Sequence, residues 1–269
     1  MIQVIVAGAA GKMGKRIIHM IHEDPEAELA GAFERSGHPD VGADAGALAG
    51  LGEIGVPIVG SLEAAAARGE VLIDFTAPEG TLANLRLAVS KNLAVVIGTT
   101  GIQGAQLAEA QDLGRRTRTV MAPNMSVGVN VMFRIAEEMA RILGVGFDCE
   151  ILEIHHRLKK DAPSGTAMRL AQVLADAKGK DLDKVGVYER KGIIGPRTDD
   201  EIGIQTWRAG DITGEHTVMF GGIGERLELT HRAHNRDNFA KGAVRAAHWV
   251  VRQTPGLYDM QDVLGLRHL

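Results

Sequence analysis

The chain has 269 residues, 45% hydrophobic and 24% charged, enough for one large domain or two modest ones. Its net charge of -4 excludes the basic stripe that a nucleic-acid binder needs, and no apolar run approaches the roughly 18 residues that span a bilayer. The lone cysteine, Cys149, excludes an internal disulfide, and 34 glycines beside only 4% aromatic residues favour an α/β chain with many strand-to-helix turns.

Ile2–Val6 is a short apolar run that predicts a strand, with no secretory leader ahead of it. From Gly11 to His22 the residues Met13, Ile17, Ile18 and Ile21 share one helical face. Leu29–Phe33, Val71–Phe75, Leu93–Ile97 and Thr119–Ala122 predict four further strands, and Pro78 to about Lys91 a helix. These strand runs are near-continuously apolar rather than alternating, as expected of a parallel sheet covered by helices on both faces. The texture changes after about Asn124. A helix is predicted from Val127 to about Leu143, a strand over Cys149–Ile154 and a second helix after Ser164. Thr217–Phe220 and Arg226–Thr230 predict strands joined by a turn at Gly221–Gly224, and the alternation in the second suggests a sheet with one open face. A last helix, about Asp237 to Arg252, carries Phe239, Ala243, Ala247 and Val250 on one stripe. The expected organisation is an α/β domain with a parallel sheet, residues 1–125 and 236–269, and a second, smaller domain with an open-faced antiparallel or mixed sheet, residues 126–235.

Gly8-Ala9-Ala10-Gly11-Lys12-Met13-Gly14 follows the first strand and opens the first helix. Glycines there let a backbone approach a pyrophosphate, and the helix N-terminus stabilises its charge. The spacing is G-x-x-G-x-x-G, and a tight turn without ligand is the alternative. Glu34 lies 20 residues after Gly14, where a carboxylate can accept from ribose hydroxyls. The adjacent Arg35 could hold a 2′-phosphate. Gly98-Thr99-Thr100 and Ala122-Pro123-Asn124-Met125 end two strands, where ligands bind in open parallel sheets.

The segment from Glu153 to Ala167 holds His155, His156, Lys159, Lys160, Ser164, Gly165 and Thr166. His and Lys supply proton donors and positive charge, which suits hydride reduction of an anionic substrate. Ser164-Gly165-Thr166 opens a helix whose N–H groups can hold a carboxylate, and Ser164 or Thr166 could equally serve as its cap. No Cys or tight acidic set joins the histidines, so no metal site is expected. Cys149 reads as a small buried hydrophobe.

These motifs occur in one order along the chain. The glycine loop, Glu34-Arg35, Asp74-Phe75-Thr76, Gly98-Thr99-Thr100-Gly101 and Asn124 to Asn130 come first. They are followed by His155-His156 through Ala167, Arg208-Ala209-Gly210-Asp211-Ile212 and Gly224-Glu225-Arg226. The whole resembles the 4-hydroxy-tetrahydrodipicolinate reductase (dihydrodipicolinate reductase) family of lysine/diaminopimelate biosynthesis. That resemblance implies a Rossmann-type cofactor domain, a smaller α+β domain with an open mixed sheet, and a homotetramer using NADH or NADPH; the single cysteine fits a cytoplasmic protein. His155 and Lys159 would be catalytic, and His156, Gly165 and Thr166 would bind the dicarboxylate substrate. Gly8 to Met13, Glu34, Arg35, Gly98 to Thr100 and Ala122 to Met125 would bind cofactor. Ala77 stands where some members carry Arg.

Overall fold

A computed structural model describes residues 1–268. Its strands are β1 (Ile2–Ala7), β2 (Ala27–Phe33), β3 (Ile58–Val59), β4 (Val71–Asp74), β5 (Ala94–Ile97), β6 (Arg118–Met121), β7 (Asp148–His155), β8 (Gly186–Val187), β9 (Ile202–Arg208), β10 (Gly214–Gly221), β11 (Arg226–Ala233) and β12 (Gly256–Tyr258). Its α-helices are α1 (Lys12–Glu23), α2 (Ala45–Ala49), α3 (Leu62–Ala65), α4 (Pro78–Ser90), α5 (Gly104–Arg115), α6 (Val127–Leu143), α7 (Gly165–Ala177), α8 (Leu182–Val185), α9 (Asp237–Val250) and α10 (Met260–Val263). The described backbone divides into two compact units, residues 1–127 with 236–268, and residues 128–235.

In the first unit the strand order is β12-β6-β5-β4-β1-β2-β3, and every neighbouring pair is parallel. The runs that read as continuously apolar are buried on both faces, as β4 and β5 show throughout. Val4, Val6 and Ile73 pack one face against Ile17 and Ile21 of α1 and Ala243 and Ala247 of α9. Ile5, Leu72 and Val95 pack the other against Leu62, Leu85 and Leu113 of α3, α4 and α5. Each such aliphatic side chain contributes about 1.5–3 kcal/mol by leaving water. This is the Rossmann-type sheet expected from the sequence. The chain leaves β1 toward β2 on one side and later fills β4 on the other, so the loops after β1 and β4 diverge over a crevice.

Edge strands β3 and β12 were not predicted. They are two and three residues long, too short to show a strand pattern of their own, and backbone pairing to β2 and β6 defines them. The α5 helix also went unpredicted. It buries only Ala110, Leu113 and Gly114, so it carries a faint apolar stripe.

The second unit is built on a mixed sheet, β11-β10-β7-β9-β8. β7 runs parallel to β9 and antiparallel to β10, and β10 pairs antiparallel with β11. The helices α6 and α7 cover one face through Met132, Phe133, Leu170 and Leu174, packed on Cys149, Ile151, Val218 and Phe220. Cys149 is fully buried there, and burial pushes its thiol pKa up. Period-two alternation sends Leu152, Ile154, Met219 and Trp207 to the opposite face, where they are half-buried or exposed. Among the described residues no helix is long and apolar enough to cross a membrane.

Candidate active site

The glycine loop caps β1 within the first unit. Gly8 has φ +64°, and a Cβ there would sit 3.0 Å from Thr76 Cγ2 in the loop after β4. A Cβ on Gly14 would lie 2.2 Å from the Gly8 carbonyl oxygen, so that glycine lets α1 close onto the loop. Gly11 is the N-cap of α1 and no side chain caps it, which leaves first-turn N–H groups directed at the loop mouth. A pyrophosphate is the chemical match for that uncapped helix end.

Glu34 follows β2 and its carboxylate accepts from the Ala10 N–H at 3.1 Å, so the acid is already tied to the glycine loop. Arg35 is exposed beside it. Phe33, Glu34, Arg35, Ser61, Asn84 and Leu87 line a cavity of about 290 Å³. It has an apolar wall, an acid and a cation, as an adenosine with its ribose hydroxyls would require. Ser61, Asn84 and Leu87 carried no sequence signal, because they come from elements far apart in the chain. Ala77 is the residue preceding α4 and provides no side-chain cap.

The strand-end loops are held from below. Fully buried Asp74 ends β4. Its Oδ1 accepts from the Thr76 N–H at 3.0 Å and from the hydroxyls of Thr76 at 2.7 Å, Thr81 at 3.0 Å and Thr99 at 3.3 Å. Its Oδ2 accepts from Asn84 at 2.8 Å. The Thr99 hydroxyl is therefore directed inward, while Thr100 is exposed. In the other loop Pro123 is exposed, Ala122 and Met125 are buried, and the Asn124 carboxamide accepts from the Ser126 N–H at 2.9 Å. The Met125 carbonyl fits against Gly242 of α9, where a Cβ would come within 1.8 Å of that oxygen.

The second unit assembles the His/Lys segment at the carboxyl end of β7. Glu153 and His155 are two residues apart, so both point to the helix-covered face. Register places Thr206 of β9 and His216 of β10 beside Glu153, and Arg208 of β9 beside His155. Glu153 is fully buried. It meets His155 Nδ1 at 2.5 Å and accepts from both Nη atoms of Arg208 at 2.8 and 2.9 Å and from the Ser164 N–H at 2.9 Å. Burial alone would raise its pKa, but the hydrogen bonds from His155, Arg208 and Ser164 outweigh that and hold it at about 2.

His216 stands edge-on to His155 with ring centroids 5.2 Å apart and shares a 3.0 Å hydrogen bond with Ser164 Oγ. Burial, then the neighbouring His155, depress its pKa to about 3, so it is neutral near pH 7. Ser164 is the N-cap of α7, its Oγ accepting from the Ala167 N–H at 3.1 Å. Gly165 and Thr166 form the first turn of α7, and His156 is half-buried beyond the end of β7. Lys159 lies on the connecting loop with Nζ 3.0 Å from an Asp161 carboxylate oxygen, and Arg208 donates to the Asp161 carbonyl at 2.7 Å. His155, Lys159, Gly165 and Thr166 thus belong to one local structure that combines a positioned imidazole, an ammonium and an uncrowded helix N-terminus. Glu153, Arg208 and His216 were not assigned roles from sequence, since only strand register brings them together. Among the described residues no group of three or more His, Cys, Asp or Glu is arranged to hold a metal ion.

Residues 2–125 match the family model described as "Dihydrodipicolinate reductase, N-terminus", and residues 128–264 match "Dihydrodipicolinate reductase, C-terminus". The chain belongs to the dihydrodipicolinate reductase family. The second match runs past the backbone division at 235, because α9 returns to the first sheet. A 4-hydroxy-tetrahydrodipicolinate reductase of Citrifermentans bemidjiense is 57% identical over 99% of this chain and 100% of its own. The enzyme of that name from Syntrophus aciditrophicus is 54% identical over the same shares. A solved dipicolinate-bound dihydrodipicolinate reductase from Paenisporosarcina sp. TG-14 has a TM-score of 0.75 and 26% identity, covering 97% of this chain and 98% of that one.

Proposed function

We infer that this chain is an oxidoreductase that reduces 4-hydroxy-tetrahydrodipicolinate, or its dehydrated form, to tetrahydrodipicolinate in lysine/diaminopimelate biosynthesis. Family membership over essentially the whole chain supports the activity. The observation that carries the chemistry is that Glu153 binds both His155 and the N–H of Ser164, the N-cap of α7, with Lys159 on the loop between them.

A nicotinamide cofactor supplies hydride when bound. Gly8 to Met13 would hold its pyrophosphate, Glu34 and Arg35 its adenosine ribose, and Gly98 to Thr100 with Ala122 to Met125 its nicotinamide half. Glu34 suits free ribose hydroxyls and Arg35 a 2′-phosphate, so both NADH and NADPH serve. On the substrate side, Gly165 and Thr166 bind a carboxylate through the first turn of α7, with His156 adding a polar contact. His155 and Lys159 protonate the ring as hydride arrives and offset its negative charge. Dipicolinate, the ligand named for the Paenisporosarcina relative, carries the same pair of carboxylates and would occupy this site here. The half-buried Leu152, Ile154 and Met219 with exposed Trp207 form the face through which a cytoplasmic homotetramer assembles.

The test is oxidation of NADH and NADPH, followed separately by absorbance. Substrate is generated in place from pyruvate and aspartate semialdehyde by the preceding synthase. Oxidation that requires the complete mixture is expected. Folded, cofactor-binding protein that oxidises neither would refute the assignment.

A further inference from the structure

Five hydrogen bonds converge on the fully buried carboxylate of Glu153, from His155, Ser164, Thr206 and twice from Arg208. A carboxylate held at about pKa 2 is ionised throughout the working range and can only accept hydrogen bonds. The ring nitrogen facing it must therefore carry a proton. That nitrogen is His155 Nδ1, 2.5 Å away, so in neutral His155 the lone pair lies on Nε2. Gly214 of β10 lies beside the opposite edge of the ring, where a Cβ would stand 3.0 Å from Nε2, so the glycine keeps a side chain from crowding that nitrogen. Arg208 keeps Glu153 fixed by gripping both its oxygens, and a further contact to the Asp161 carbonyl ties the Lys159 loop to the same guanidinium.

We propose that Glu153, anchored by Arg208, is a positioning residue that fixes the His155 proton on Nδ1 and makes Nε2 the nitrogen that exchanges a proton with substrate. The inference deepens the reductase reading and rests on it for the identity of the proton acceptor. In the step itself the imidazolium would give its Nε2 proton to the substrate ring, to which a bound nicotinamide would supply hydride. His155 is left neutral with Nδ1–H in place, and water reprotonates Nε2.

Glu153→Gln is the direct test. Its carboxamide oxygen would go to Arg208 and its NH2 to His155 Nδ1, forcing the His155 proton onto Nε2. The expected result is a kcat lower by roughly 10²- to 10⁴-fold with KM changed less than about threefold. Because this variant leaves Arg208 without its ion partner, Glu153→Gln/Arg208→Gln provides a neutral pair that restores folding while still lacking the anion. Its kcat is expected to stay low. Nitrogen-15 spectra of the wild-type imidazoles, with His155 assigned from the signal lost in His155→Asn, report the tautomer directly. The neutral ring should be protonated at Nδ1 in the wild type and at Nε2 in Glu153→Gln.

A wild-type proton on Nε2, or a kcat within about threefold of wild type in either variant, overturns the proposal. The wild-type spectrum decides it even if neither variant folds. Absence of wild-type turnover would instead remove the reductase assignment and leave the tautomer result standing.

Discussion

Gly242→Ala sets two effects of opposite sign against each other. Gly242 lies inside α9, and in an open helix position alanine is favoured over glycine by about 1 kcal/mol. Here the added Cβ would sit 1.8 Å from the Met125 carbonyl oxygen and 2.8 Å from its carbon. The obstacle is backbone, so relief requires shifting α9 or the loop by an ångström or more. Overpacking of this kind costs about 1–3 kcal/mol or more, which exceeds the helical gain. The variant should lose about 1–2 kcal/mol in urea unfolding. Since Met125 ends the loop proposed to hold the nicotinamide half, cofactor affinity should also fall, by about tenfold in a fluorescence titration. A variant stabilised by about 1 kcal/mol with unchanged cofactor affinity would refute the reasoning.

Acidification should weaken the second unit in two stages. His216 has its pKa lowered from 6.5 to about 3, so its unfolded form binds a proton first, and its contribution is present above pH 6.5 and lost as pH falls toward 3. Glu153, lowered from 4.5 to about 2, contributes on the order of 3 kcal/mol above pH 4.5, lost as pH falls toward 2. Denaturant unfolding of His216→Gln should show a flatter decline between pH 6.5 and 4.5; an unchanged slope would remove His216 from the account. Lys159→Ala should lower kcat by orders of magnitude while cofactor titration and the unfolding midpoint hold, and near-normal turnover would exclude Lys159 from the chemistry. Arg35→Ala should weaken NADPH far more than NADH in parallel KM measurements, by about tenfold for the lost phosphate contact; equal effects would argue against a phosphate role for Arg35.

The sequence by itself determined the parallel sheet. Ile2–Val6, Val71–Phe75 and Leu93–Ile97 are near-continuously apolar rather than alternating, as strands covered on both faces are. It also located the glycine loop and the His155–Thr166 segment, because their chemistry is contiguous in the chain. Contacts made between distant segments were settled by tertiary structure. β3 and β12 exist because a neighbouring strand offers them backbone partners, and at two and three residues neither is long enough to show a strand pattern of its own. Asp74 reads as the polar end of a strand, yet the fold turns it into the hub for Thr76, Thr81, Thr99 and Asn84. Gly242 looks like an ordinary helical glycine until Met125 is placed against it. Glu153 was visible as the start of a motif, but its hold on His155 and Arg208 depends on the register of β7 against β9, which period-two patterning leaves open.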